Sequence, residues 1–197
     1  MTTMSVSSTR SQAASDLDEI TLARAQSGDR LAKAALIERY QRPVFALLSR
    51  MLGKDTEIID DLAQETFARV LRALPGFDRY GRARLITWIL TIATRLALDH
   101  LRASNARRDP SEIPGGLPVS LPRPDQLADQ RALGVALVGA VEALPPAFRA
   151  AFLLREIHGL TYEEISEALH VDLGTVRSRL ARARGLLQRM LAAVHDD

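Results

Sequence analysis

The sequence predicts an all-α protein of two small helical bundles joined by a proline-rich linker. Three observations carry this reading. Apolar residues recur at spacings of three and four through most of the 197-residue chain, and no stretch shows the period of two that marks a strand. Residues 105–125 hold five prolines and two glycines, and neither period survives there. Residues 160–191 read as a short helix, a tight turn and a longer arginine-rich helix.

Composition bounds the functional classes. With 47% hydrophobic residues the chain can bury a core, and no apolar run approaches the roughly 20 residues needed to span a bilayer. The polar N-terminus lacks the apolar segment of an export signal, so no membrane insertion and a cytoplasmic placement are expected. The absence of cysteine excludes disulfides, thiolate metal sites and thiol redox sensing within this chain. The net charge of +2 is unevenly spread. Residues 76–108 carry seven Arg against Asp78 and Asp99, and residues 171–197 carry five Arg against three Asp. The segment between is acidic from residue 132 to residue 170, with five Glu against two Arg. Two basic segments separated by an acidic one suggest two contacts with a polyanion.

In chain order, residues 1–15 are Ser/Thr-rich and expected to be a disordered tail. A helical pattern begins at Asp16, with Leu17, Ile20 and residues 22–25 on one side, and Gly28 as its stop. Asp29 can cap the next helix, where Leu31, Ala35, Ile37 and Tyr40 supply apolar positions. Pro43 removes a backbone donor and clashes one turn back, so a kink or short break is expected near Gln41. Helix then resumes through Val44, Leu47, Leu48 and Met51 to Gly53. Thr56 should cap a third helix running to about Leu74, apolar at Ile59, Leu62, Ala63, Phe67 and Val70. Its other face shows Asp61, Gln64 and Glu65. After Leu74-Pro75-Gly76 comes a loop rich in Arg, Gly and Tyr. A fourth helix follows from Leu85 to near Ala103, with Trp88, Ile89, Ile92, Leu96 and Leu101 inward. These elements make a first domain at 16–104, followed by the linker at 105–125 and a second domain at 126–193. In the second domain one helix ends at Leu144-Pro145-Pro146, and the next opens there and closes at His158-Gly159.

The last two helices carry the sharpest local signals. Thr161 with Glu164 fits a capping box, and Ile165, Ala168 and Leu169 share a face. The chain breaks at His170-Val171, with Asp172 as the next N-cap and Gly174 at a close approach of two helices. Placing Val176, Leu180, Ala183 and Leu187 inward turns Ser178, Arg179 and Arg182 outward, with Arg177 flanking them. That is the layout of a helix-turn-helix whose second helix enters a DNA major groove, where the planar fork of Arg suits phosphates and the guanine edge. An amphipathic helix pair with a solvated basic face gives the same local pattern. No enzymatic constellation accompanies it. There is no phosphate-cradling glycine loop and no nucleophile motif. His100, His158, His170 and His195 are scattered, so no metal site, cofactor or catalytic residue is expected. The neighbouring carboxylates Asp60-Asp61 and Glu163-Glu164 point about 100° apart on a helix and form no acid–base dyad.

Four segments occur in order: RAQSGDRLAKAALIERY at 24–40, DLAQETFARVLRAL at 61–74, TWILTIATRLALDHLR at 87–102, and LTYEEISEALHVDLGTVRSRLARAR at 160–184. With them the chain resembles a bacterial extracytoplasmic-function (ECF) sigma factor over about residues 17–192. The resemblance implies that the first bundle is sigma region 2 and the second is sigma region 4. It implies that Asp61, Gln64 and Glu65 dock on the β′ clamp of core RNA polymerase, the β subunit being a further partner. It assigns the −10 element of promoter DNA to Phe77, Arg79, Tyr80, Arg82 and Arg84 in the loop and to Trp88, Thr91, Arg95 and Arg102 on the helix. Trp88 reads equally as a plain core residue. It assigns the −35 element to Thr175, Arg177, Ser178, Arg179 and Arg182. An anti-sigma factor is the usual regulator, and the free chain is expected to be a monomer. The chain departs from the family where Leu85-Ile86 stand in place of Phe-Ser, and Arg95 in place of Asn. Its loop before Thr87 is also about two residues longer, and these changes bear on −10 base preference. The rival expectations are a stand-alone helix-turn-helix regulator, dimeric on a palindromic site, and a helical adaptor that binds no DNA.

Overall fold

The computed structural model describes residues 17–53, 55–81, 83–107 and 129–195, and among them every regular element is helical. The first bundle comprises α1 (Glu19–Gln26), α2 (Arg30–Leu52), α3 (Thr56–Ala73) and α4 (Leu85–Arg107). The second comprises α5 (Asp129–Glu142), α6 (Pro146–Phe152), α7 (Tyr162–Leu169) and α8 (Leu173–His195). The expected N-terminal tail and most of the linker lie outside the described residues.

Local chemistry sets the boundaries. Asp18, Asp29 and Asp55 each accept a hydrogen bond from the backbone N–H three residues on, satisfying a donor that a helix start leaves orphaned. Asp55 thus caps α3 in place of Thr56, which becomes the first helical residue. Gly53 ends α2 at φ +83°, a conformation that suits a residue without Cβ. The break expected near Gln41 does not form, and α2 runs unbroken through Pro43. A proline inside a helix costs about 3 kcal/mol. Against this, Val44, Leu47, Leu48 and Met51 are fully buried beyond it, each contributing about 1.5–3 kcal/mol. Burial wins.

The inward residues largely match the helical periods, with local exceptions. Leu36, Tyr40, Val44, Leu47, Leu48 and Met51 line one face of α2, against which α1, α3 and α4 pack. Ile20 and Leu31, expected inward, are 75% and 78% exposed, while Leu22, Ala25, Ala32 and Leu36 hold the buried places nearby. The fourth helix runs four residues past its expected end, so residues 105–107 of the expected linker are helical. Leu90, Ala93 and Ala97 join Ile89 and Leu96 in its core, while Trp88, Ile92 and Leu101 are half-buried. In the second bundle, α6 widens into a π-helical turn at Leu153–Ile157 before closing at His158 and Gly159 (φ +70°).

The bundles also touch, which no local pattern in the sequence indicated. Helix α4 packs on α6 and α7, and α2 packs on α5 and α6. Arg149 of α6 holds one edge of this interface. It donates to the carbonyls of Met51 (2.6 Å) and Leu144 (3.0 Å), and also to that of Glu142. One guanidinium thereby serves the C-terminal ends of α2 and α5, where carbonyls lack helical partners.

His158 lies close by, with its Nε2 buried and without a hydrogen-bond partner. Burial pushes the imidazole from 6.5 down to about 4, and the positive charge of Arg50 adds to the effect. The folded state therefore favours the neutral ring. Its contribution is fully present above pH 6.5 and is lost as pH falls toward 4. Chemical unfolding at stepped pH should show a loss of up to about 3 kcal/mol across that window, and His158→Gln should remove this part of the slope. An unchanged slope in the variant would show that the imidazole is not the group responsible.

Candidate functional site

Three surfaces hold the residues singled out from sequence. On α3, Asp61 and Gln64 are exposed and Glu65 is half-buried, and their spacing puts them on one face. Leu62 and Phe67 turn the other way, into the core. Glu65 Oε1 accepts from Arg69 Nε at 2.6 Å. An exposed pair at this spacing is worth about 0.3–0.5 kcal/mol, too little to keep the carboxylate from another cation. The face can pair with a basic partner helix.

The second surface is the loop after α3 with the start of α4. Gln26 of α1 ties this loop down, its amide donating to the carbonyls of Leu74 (3.1 Å) and Phe77 (2.8 Å). The Asp78 carboxylate then accepts from the Tyr80 backbone N–H at 2.9 Å, turning the chain locally. Phe77 and Trp88 meet with ring centroids 4.9 Å apart and tilted by 35°. Arg79 lies over the Tyr80 ring at 4.9 Å, and that ring is 76% exposed. A cleft of about 460 Å³ opens beside the Phe77–Trp88 pair, lined also by Ala73, Asp78, Ala83 and Glu167. Stacking rings with arginine beside them suit unpaired bases better than duplex. Trp88 is half-buried and packs against the core.

The remaining residues of that group are scattered. Arg84 is exposed, and Arg82 lies outside the described residues. Thr91 donates its hydroxyl to the Thr87 carbonyl. Arg102 sits 14 residues beyond Trp88, about 21 Å along the helix, where it pairs with Asp99 at 2.9 Å. Arg95 is half-buried. Its guanidinium donates to the backbone carbonyls of Glu167 and Ala168, both at 2.9 Å, and partial burial lowers its pKa.

The third surface is α8. Val176, Leu180, Ala183 and Leu187 are all buried, so the opposite face is turned out. Arg177, Ser178 and Arg182 are exposed and Arg179 is half-buried. The capping box at Thr161 and Glu164 is present in both directions. His170 takes the left-handed conformation at φ +51° and turns the chain toward α8. Asp172 then accepts from the Thr175 N–H (2.8 Å) and hydroxyl (2.6 Å), which commits Thr175 to the cap. These bonds, the side chain's first, lower the Asp172 pKa.

Sequence reasoning missed Gln26, Thr87, Glu164 and Glu167 as residues of these surfaces. Their roles depend on elements that are distant in the chain, although Glu164 was visible as a cap. Among the described residues no cluster of His, Asp and Glu could hold a metal ion, and no helix is long and apolar enough to cross a membrane.

Comparison with known proteins identifies this arrangement. Residues 36–107 match the family model of Sigma-70 region 2, and residues 135–187 match that of Sigma-70, region 4. The chain is 34% identical over 176 residues to the ECF RNA polymerase sigma-E factor of Escherichia coli K12, covering 85% of this chain and 90% of the relative. It is 37% identical over 171 residues to the ECF RNA polymerase sigma factor SigE of Mycolicibacterium smegmatis, covering 84% and 65%. Among solved structures, CnrH in complex with the cytosolic domain of CnrY superposes with a TM-score of 0.61 at 24% identity, covering 88% of this chain and 96% of that one. The Bartonella quintana sigma factor RpoE, in complex with the anti-sigma factor NepR, gives 0.60 at 21%, covering 81% and 96%. Both share the fold. The chain belongs to the ECF sigma factors of RNA polymerase.

The helix-turn-helix geometry has a local test. Gly174 was expected at a close approach of two helices, but a Cβ there would instead meet the Asp172 carboxylate at 2.9 Å. Gly174→Ala should therefore displace the cap and destabilise the domain by about 1 kcal/mol, read by thermal unfolding. A gain in stability, as expected for Ala in an open helical position, would contradict this account.

Proposed function

We propose that this ECF sigma factor binds core RNA polymerase through the Asp61–Gln64–Glu65 face of α3 and reads promoters at two sites. In this reading Arg177, Ser178, Arg179 and Arg182 of α8 meet the −35 element in the major groove. The rings and arginines of the loop and of α4 hold the melted −10 strand. Catalysis belongs to the core enzyme, in the cytoplasm, and the sigma factor supplies recognition and opening. The observation that supports this best is the presence in one chain of both matched sigma regions, with the α3 face and the arginine face of α8 turned to solvent. The rival reading, a stand-alone helix-turn-helix regulator, is overturned by the region 2 match and leaves the α3 face without a use.

Two modest contacts on one tethered chain reinforce each other, because the second is made at high effective concentration. The assignment of the α3 face to the β′ clamp comes from the family resemblance, and its carboxylates and amide suit pairing with a basic partner helix. The RpoE–NepR complex is a precedent for regulation by an anti-sigma partner, and for this chain such a partner would cover the polymerase-binding surfaces.

Purified protein added to core polymerase should co-elute with it and start transcription at specific promoters. Asp61→Arg with Glu65→Arg should abolish both while leaving helicity by circular dichroism unchanged, and retained co-elution would remove the α3 assignment. Arg179→Ala should weaken binding to a −35 duplex by about 1–3 kcal/mol if it reads a base. An equal loss on every duplex sequence would make it a phosphate contact.

A further inference from the structure

The reading face of α8 carries two kinds of group. Arg177, Arg179 and Arg182 bear guanidinium N–H groups and no acceptor, so toward DNA they only donate. Beside them stand two hydroxyls, Thr175 and Ser178, which form one stripe with Arg182 at spacings of three and four. A free Ser or Thr hydroxyl turns to donate or to accept, and so tells bases apart poorly. Neither of these is free. The Thr175 hydroxyl donates to Asp172 Oδ2 at 2.6 Å. Hydrogen bonds from the Thr175 hydroxyl and backbone N–H lower the Asp172 pKa from its ordinary 3.8, so the carboxylate is ionised and only accepts. The Ser178 hydroxyl donates to the Thr175 carbonyl at 2.9 Å, another group that only accepts. The single hydrogen of each hydroxyl is thus used at the start of the helix, and each oxygen keeps its lone pairs.

We propose that Thr175 and Ser178 accept from exocyclic amino groups, adenine N6 or cytosine N4, in the −35 major groove, and that Asp172 sets this polarity. The inference rests on the −35 assignment made under Proposed function and adds which chemical group each hydroxyl selects. In the major groove adenine and cytosine offer an amino hydrogen where guanine and thymine offer a carbonyl oxygen. An oxygen with no hydrogen to give meets the amine with a bond and the carbonyl with lone-pair repulsion. The arginines select the opposite set, the O6 and N7 acceptors of guanine. The stripe from Thr175 to Arg182 rises by about 10.5 Å, or about three base-pair steps. Donors and acceptors therefore address neighbouring pairs, and the face disfavours a sequence shifted by one step. Asp172 acts through Thr175 and is a positioning residue.

Holoenzyme assembled from core polymerase and the full chain selects from a random duplex library, and the retained duplexes are sequenced. Within the upstream element so defined, each adenine is replaced by purine, which lacks N6, and each cytosine by pyrimidin-2-one, which lacks N4. Deleting the amine at one position should weaken wild-type binding about fivefold, and the Ser178→Ala holoenzyme should be indifferent to it. Which analogue acts there tells adenine from cytosine. Asp172→Asn keeps a capping oxygen, but its amide would donate to the Thr175 hydroxyl and release that hydrogen. Selection by this variant should shift at one position from adenine or cytosine toward thymine or guanine. Loss of the cap alone would not produce that shift, and circular dichroism checks the fold of each variant. A defined upstream element that binds equally with every amine deleted would overturn the inference, as would an Asp172→Asn selection identical to that of the wild type. If the wild-type holoenzyme selects no upstream element at all, the −35 assignment itself fails and takes the inference with it, a result distinct from the other two.

Discussion

The buried stripe of α2 is the constraint on which the rest of the molecule depends. Leu36, Tyr40, Val44, Leu47, Leu48 and Met51 present one continuous apolar face. Helices α1, α3 and α4 assemble on this helix, and α5 and α6 reach it from the second bundle. Because the helix passes through Pro43 without a break, its end at Met51 lies within reach of Arg149. A break at Gln41 would redirect that end and separate the bundles. The arrangement of the surfaces assigned to DNA and polymerase thus traces back to a balance between one lost backbone bond and several buried side chains.

Much of this was legible in the chain, and what was not shares a physical cause. The caps at Asp29, Thr161 and Asp172 could be read because a cap satisfies donors only two or three residues away. The α8 core could be read because Val176, Leu180, Ala183 and Leu187 repeat with the helix. Where two capping residues adjoin, as at Asp55 and Thr56, composition cannot choose between them. Ile20 and Leu31 failed because periodicity finds an apolar face but not whether a neighbour covers it. The π turn at Leu153–Ile157 adds one residue to a helical turn and leaves no residue type that marks it. The contact between bundles was invisible for a further reason. Arg95 and Ala168 are 73 residues apart, and their bond uses a backbone carbonyl that every residue possesses.

The same distinction applies to the functional surfaces. The α3 and α8 faces are properties of single helices, so they could be read from spacing. The loop surface is assembled from α1, the loop itself and α4, and only the fold shows that Gln26 holds Phe77 beside Trp88. Interfaces between domains of one chain resemble transient complexes and tolerate relative motion. The bonds across this one, from Thr87, Arg95 and Arg149, are polar, and buried apolar residues of both bundles join in one cluster.

Glu164 divides two duties between its two oxygens. Oε2 accepts from the Thr161 backbone and fixes the start of α7, while Oε1 accepts from Thr87 across the interface. Losing the second leaves the first intact, so the recognition unit can separate from its neighbour without fraying. Such a unit behaves as a cassette. Its caps are written within residues 161–175, while its docking on α4 takes both the Thr87 hydroxyl and the Arg95 guanidinium.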